Sequence, residues 1–236
     1  MNIKKTFIYQ TAKKAYLSVN HTICDARRTP LISPLKDCLF RLKTRGGESQ
    51  NADALSIISS NCFAGRIMQD LNMEYNSPTL GLYFMYPDYI EFLNNLRYYL
   101  SDAKIEFVKH SKYPIGDERR AAWSHWYPIG LLGGKVEIHF LHYHTEKEAA
   151  EKWYRRAKRV NFNNLLIIGM QQNLCKKKDI IYFDTLPYKN KIMFSTIPVP
   201  LVSNEYMPEF GNAESVGDPY KKAHLFYRHL ISHFSI

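Results

Sequence analysis

A mixed α/β fold, with a mostly parallel sheet flanked by helices in Rossmann-like layers, is predicted by three observations. The apolar, β-branched runs Leu55 to Ile58 and Leu165 to Met170 read as buried strands. They alternate with segments whose apolar residues recur at helical spacing. A Gly133-Gly134 pair between apolar runs marks a hairpin, so some antiparallel pairing is expected. A division into two halves near residue 130 is left open.

The chain of 236 residues is long enough for one domain with an appendage. Its net charge of +10 is unevenly placed: residues 1–50 hold ten Lys and Arg against three Asp and Glu, and the rest hold 22 against 19. This separates a basic arm, 1–50, from an α/β domain, 51–236. Ile8, Ala12, Ala15 and Val19 give the arm one apolar helical face. Leu35, Cys38, Leu39 and Leu42 give it another, with Ser33 as cap and Pro34 at the first turn. Such faces either dock on the main domain or lie on an anionic membrane. The charge partition leads us to expect a separable arm that serves location at the inner membrane face. Arg45 to Asp53 reads as a linker. Nucleic acid is not expected as a partner, because no recognisable nucleic-acid motif accompanies the charge.

From Leu55 the elements follow in order. The first strand ends in polar Ser59, Ser60 and Asn61, and Ala64, Ile67, Met68 and Leu71 open a helix. Thr79 to Phe84 is expected as a strand. Pro87-Asp88 opens a helix carrying Tyr89, Leu93, Leu96 and Leu100 on one face, with Asp88 and Glu91 in a capping-box pattern. Ile105 to Val108 is a strand, and 109–128 an irregular loop with His110, Trp123, His125 and Trp126. Ile129 to Tyr143 is the hairpin. Thr145 caps a helix with Glu148 as its box partner, and Arg155, Arg156, Lys158 and Arg159 suit its C-terminal end. Asp179 to Leu186 fits a helix, Lys191 to Ser195 a strand, and the tail from Ile197 is irregular until a closing helix with Ala223, Phe226, Tyr227, Leu230, Ile231 and Phe234 on one face.

Candidate chemistry gathers where the first strand feeds its helix. Open α/β sheets bind ligands at the carboxyl ends of their strands. Asn61 is placed to cap the helix, whose N-terminus favours an anion, and Arg66 adds a full charge. Ser60, Asn61, Arg66, Asn76, Ser77 and His142 are therefore expected to bind substrate. Cys62 sits where a thiolate is favoured and is a candidate nucleophile. His139, on the same strand face as Glu137, is a candidate general base.

A metal is not expected. His139, His142 and His144 do not share one strand face, and His229 and His233 lack the acid of a zincin and read as solvated. The four cysteines form no CxxC pair, and scattered thiols fit a reducing cytosol. No cofactor is expected: G-x-G-x-x-G, a Walker A lysine and an Asp-x-Asp pair are all missing.

The runs SIISSNCFAGRIMQDL, YNSPTLGLYF, VEIHFLHYHTEKEAAEKWYRRAKRVN and LPYKNKI, in this order between Leu55 and Thr196, resemble an uncharacterised family of bacterial exopolysaccharide (capsule) biosynthesis proteins. The resemblance implies a place in surface-glycan assembly and a glycan or nucleotide-sugar substrate. It also implies an acidic turn ahead of Cys175, where this chain reads QQNLCKKKD. Two functions are expected from these readings. One is a transferase of a glycosyl, acyl or phosphoryl group, binding its anionic substrate at the Ser59 to Arg66 turn. The other is a non-catalytic protein that binds a glycan intermediate or recruits a synthesis enzyme.

Overall fold

The computed structural model describes residues 26–44 and 55–235. The expected helix over Ile8 to Val19 and the linker Arg45 to Asp53 lie outside these residues.

A 3-10 turn at Thr29–Leu31 leads into α1 (Ile32–Thr44). Strand β1 (Ser56–Ser59) is followed by α2 (Phe63–Asp70). Helices α3 (Tyr86–Asn94) and α4 (Leu96–Ser101) form one face, as their Tyr89, Leu93, Leu96 and Leu100 pattern predicted, with a break at Asn95. Next come β2 (Ile105–Val108), α5 (Pro114–Ala122), β3 (Ile129–Leu132), β4 (Val136–His139) and α6 (Glu146–Ala157). The chain continues through β5 (Leu165–Met170), α7 (Lys177–Thr185), β6 (Asn190–Ser195), β7 (Asn204–Tyr206) and α8 (Ala223–Phe234).

The α/β class holds. Strands β1, β5, β6 and β7 make a parallel sheet in the order β1-β5-β6-β7. The antiparallel strands form their own sheet, β2-β3-β4, inside the excursion between β1 and β5. Gly133 and Gly134 turn its hairpin with φ of 59° and 70°, which only glycine adopts freely.

Alternation along the parallel strands divides the core in two. Ile58, Ile167 and Met193 face α3, α4, α6, α7 and the antiparallel sheet. Ile57, Leu166, Ile168, Ile192 and Phe194 face α1, α2 and α8. In α1 the predicted apolar face, Leu35, Cys38, Leu39 and Leu42, is buried in this second cluster. For this half of the arm, docking rather than membrane contact is what the structure contains. Among the described residues no helix is long and apolar enough to cross a membrane.

Several elements differ from expectation for identifiable reasons. Thr79 to Phe84 is not a strand: the chain turns at Gly81 (φ 71°), and a single antiparallel bridge joins Tyr83 to His139. The second hairpin arm stops at His139: the Phe140 N–H still reaches the Pro128 carbonyl at 3.0 Å, but Pro128 has no N–H to return the bond, and the next residues close a turn. Asp88 is not a cap; it lies buried inside the first turn of α3. The 109–128 segment contains α5, whose signals were Pro114 at the first turn, Asp117 after it, and Arg119 and Arg120 in the last turn. Strand β7 was hidden in the Pro-rich tail. Thr145 caps α6 as expected, accepting the Glu148 N–H at 3.1 Å.

His229 and His233 are not solvated. His229 lies 2.6 Å from Glu205 and 2.9 Å from Glu209, and His233 lies 3.2 Å from Glu205. They tie α8 to β7 and the 3-10 turn Pro208–Phe210. The Glu205 bond raises the His229 pKa from its ordinary 6.5. Burial pushes the Glu205 carboxyl up, but its bonds to His229 and His233 outweigh this and lower it from 4.5 to about 2. A raised histidine stabilises fully below 6.5 and loses its contribution as pH climbs through the folded value. A depressed carboxylate stabilises fully above 4.5 and loses its contribution as pH falls toward about 2. The pair therefore contributes most between about 4.5 and 6.5. We expect His229→Gln to cost about 1.5–3 kcal/mol near pH 5.5 and clearly less at pH 9, read as urea unfolding of the two proteins at both pH values. An equal loss at both would refute this.

Candidate functional site

The turns that leave β1 and β5 on their carboxyl sides lie next to each other, because these strands pair in parallel from Ser56↔Leu165 to Ser59↔Ile168. The helix after β1, α2, packs on one face of the sheet through Phe63, Ala64, Ile67 and Met68. The helix after β5, α7, packs on the other through Ile180 and Phe183. Where successive helices depart to opposite faces, the two connecting turns splay and leave a crevice. A cleft of about 1440 Å³ opens there, reached by Asn61 and Cys62 from the first turn and by Gln171, Gln172 and Asn173 from the second.

Amides brace this crevice. Asn61 Oδ1 accepts the Phe63 N–H at 3.0 Å, and its Nδ2 donates to Gln172 Oε1 at 2.8 Å. Gln172 in turn donates to the Gly217 carbonyl. Gln171 Oε1 accepts from the backbone N–H of Thr196 at 2.8 Å. Asn173, with φ of 50°, donates to the Phe84 carbonyl at 3.2 Å and accepts from Arg119. The QQN turn that replaces the acids expected from the resemblance is thus the floor of the cleft and its brace.

The lining is cationic and aromatic. Arg119, Lys152, Arg156, Lys176, Lys177 and Lys221 contribute to it, against the acids Glu214 and Asp218. The rings are Tyr75, Tyr83, Trp123, Tyr127, Tyr143 and Tyr220. Positive charge in a partly enclosed, low-dielectric cleft attracts anions. Arg156 donates to the Tyr143 hydroxyl at 2.6 Å, and the Arg119 guanidinium lies over the Tyr83 ring at 5.8 Å.

Of the predicted site residues, Asn61, Cys62 and His142 line this cleft. His142 is held below its ordinary pKa, first by burial and then by His125, so it stands there as a neutral imidazole at neutral pH. The others lie elsewhere. Asn61 does not occupy the cap position; Cys62 does. Two of the N–H groups in the first turn of α2 are already used, since Asn61 takes that of Phe63 and Ser59 Oγ takes that of Ala64 at 3.2 Å. Arg66 is buried against Asp70, 3.0 Å away, and stacks on Tyr220. Asp70 also pairs with Arg28 at 3.0 Å and accepts from the Tyr227 hydroxyl at 2.7 Å. Arg66 is thus one member of a brace among α2, α8 and the segment before α1, with Tyr220 as its contact to the cleft. Ser60 is buried, Asn76 donates to the Leu55 carbonyl at 2.8 Å, and Ser77 bonds Thr79 at 3.0 Å. Asn76, and Ser77 through Thr79, which accepts the Ser59 N–H at 3.1 Å, shape the backbone around β1. His139 is sealed behind the cleft, 2.8 Å from Glu137.

The thiolate expected at Cys62 is not favoured. Burial, with Asp218 nearby, pushes the thiol up to about 11, because desolvation of the anion outweighs the helix N-terminus. We expect Cys62 to react with iodoacetamide slowly at pH 7, its rate climbing steeply toward pH 11. Fast alkylation at pH 7, followed by mass spectrometry of the Cys62 peptide, would overturn this. Among the described residues no group of three or more His, Cys, Asp or Glu side chains is arranged to hold a metal ion.

Sequence reasoning missed Arg119, Tyr83 and Tyr127. Arg119 sits on the helix mistaken for a loop. The tyrosines carry no local pattern, since only the bridge from Tyr83 to His139 brings them together.

Residues 41–236 match the family described as Domain of unknown function (DUF1919). A protein of Haemophilus influenzae, described as "Uncharacterized protein", is 36% identical over 168 residues, which is 71% of this chain and 74% of its own length. The family match takes in every element that forms the cleft, and the chain belongs to the DUF1919 family.

Proposed function

We propose that the cleft binds an anionic, phosphate-bearing sugar compound of the nucleotide-sugar class, and that the protein is a transferase of a glycosyl, acyl or phosphoryl group. The observation that carries this is the joint lining of six basic and six aromatic side chains at the carboxyl ends of β1 and β5. Cations meet phosphate, while tyrosine and tryptophan faces suit sugar and base rings. The place in exopolysaccharide or capsule assembly rests on the motif resemblance between Leu55 and Thr196. Surface glycans are built on lipid carriers, and the charge of residues 1–50 supports work beside an anionic bilayer.

Calorimetric titration with a panel of nucleoside diphosphate sugars tests the binding. Binding that weakens with salt, and about tenfold in Lys176→Ala/Lys177→Ala, is the expected result. Equal, negligible heats for both proteins across the panel would sink it.

A second reading, a non-catalytic glycan-binding or recruiting protein, is favoured by one observation. The two predicted catalytic groups do not meet in the cleft: Cys62 is held as a thiol and His139 is sealed off. Retained binding with no transfer product, by mass spectrometry against a glycan acceptor, would select it.

A further inference from the structure

Tyr83 and Tyr127 line the cleft, and behind them a chain of polar contacts ends at a buried carboxylate. Their hydroxyls are 3.2 Å apart. The Tyr127 hydroxyl is 3.5 Å from His139 Nδ1, and His139 Nε2 is 2.8 Å from Glu137 Oε1. Tyr83 also stacks on the imidazole, with ring centres 4.4 Å apart. Glu137 accepts from Ser111 Oγ at 2.6 Å and from the Lys112 N–H at 2.7 Å.

These contacts set the direction of the hydrogens. An ionised carboxylate only accepts, so His139 donates to it from Nε2, and the nitrogen turned toward Tyr127 is Nδ1. Tyr127 then donates to Nδ1, and Tyr83 donates to Tyr127. The Tyr83 oxygen accepts from Arg119, which also lines the cleft, and has a second lone pair for an acceptor bound there. Burial holds both phenols above their ordinary pKa, so they pass protons without becoming anions. Gly116 leaves room for the assembly: a Cβ there would lie 2.9 Å from His139 Cε1.

We propose that Tyr83, Tyr127, His139 and Glu137 form a proton relay that deprotonates a hydroxyl-bearing acceptor in the cleft. The inference rests on the transferase reading of that cleft. The acceptor O–H bond breaks and its proton joins the Tyr83 oxygen. The Tyr83 proton moves to Tyr127 and the Tyr127 proton to His139 Nδ1. The imidazolium is paired with the Glu137 carboxylate, and the acceptor oxygen keeps the electron pair with which it attacks the donor. Tyr83 is the catalytic residue; the other three position and drain the proton.

The test uses the full chain without ligand, so its failure is separate from a failure of sugar binding. In histidine-labelled protein, ¹⁵N NMR should find the His139 proton on Nε2 and Nδ1 bare. Tyr127→Phe should move the Nδ1 resonance to that of an imidazole nitrogen with no donor on it and leave the Nε2 proton in place, whereas a merely loosened core would release the Nε2 proton to faster exchange with D₂O. A proton on Nδ1 in the unmodified protein overturns the relay whether or not the variant folds. An Nδ1 resonance unchanged in Tyr127→Phe also overturns it.

Discussion

Glu137→Ala should be the most damaging single substitution outside the apolar core, costing about 3–5 kcal/mol. The side chain is 1% exposed and satisfies Ser111 Oγ, the Lys112 N–H and His139 Nε2 at once. Removing it strands three donors, of which His139 is fully buried and Ser111 half-buried, and an unmatched buried donor loses its water without replacement. Asp88 next to it accepts from Lys112 Nζ at 2.7 Å and from the Glu137 N–H at 3.1 Å, so the damage spreads to α3. Urea unfolding by circular dichroism measures the loss, and a cost below about 1 kcal/mol would show that the network is not a stabilising unit. The pH dependence carries a matching sign. Burial pushes the Glu137 carboxyl up, but the bonds from His139, Ser111 and Lys112 prevail and hold it below 4.5. Its contribution is therefore complete above 4.5 and is lost as pH falls through the lower folded value. Asp88 runs the other way. Burial raises it above 3.8 despite Lys112, so its ionisation costs stability as pH rises from 3.8 through the folded value. The acid-induced loss in the intact protein should thus exceed that in Glu137→Ala.

A chain that begins at Asn51 is expected to lose cooperative folding or to melt tens of degrees lower. It lacks α1, whose Leu35, Leu39 and Leu42 are 0%, 2% and 1% exposed against the face of the parallel sheet that also carries α8. Burying each leucine stabilises by about 1.5–3 kcal/mol, and three together rival the whole margin of about 5–15 kcal/mol that a domain possesses. The truncation also uncovers their partners across the cluster and removes Arg28 from Asp70, to which Arg66 and Tyr227 are anchored. Thermal melting of the two proteins decides it. A melting temperature unchanged within a few degrees would mean that the packing of α1 contributes little. Sedimentation with anionic vesicles, done on the full chain with and without salt, then reads the contribution of the basic arm to membrane contact separately from folding.

Much of the fold could be read along the chain because its causes are local. The β-branched runs at Leu55 and Leu165, the Gly133-Gly134 turn, the Thr145 cap and the spacing of Ala223 to Phe234 each act within a few residues. That the carboxyl end of β1 lines a cleft was legible on the same grounds, since polar residues there follow a buried strand. Two local rules failed, one to a remote partner and one to near neighbours. The Thr79 to Phe84 run has strand composition, but Gly81 turns it and its pairing is spent on one bridge to His139. The α2 N-terminus has the form of an anion site, but Ser59 and Asn61 fold back to occupy two of its donors.

The site's chemistry depended on distances that periodicity does not encode. Cys62 looked like a thiolate because a helix begins there; burial and Asp218, more than 150 residues away in sequence, make it a thiol. Arg66 looked like a free ligand for phosphate; Asp70 and Tyr220 take it. Tyr83 and Tyr127 carry no local signal and reach the cleft only because the excursion of 105–139 returns its last strand to the turn after β1. Most helix, strand and turn identity was determined by the sequence, since it depends on neighbours three or four residues away; the Thr79 to Phe84 run is the exception. Which charges remain available, and which acids and bases touch, was decided by tertiary packing, because desolvation and hydrogen bonding act between groups that are close in space and far apart in the chain.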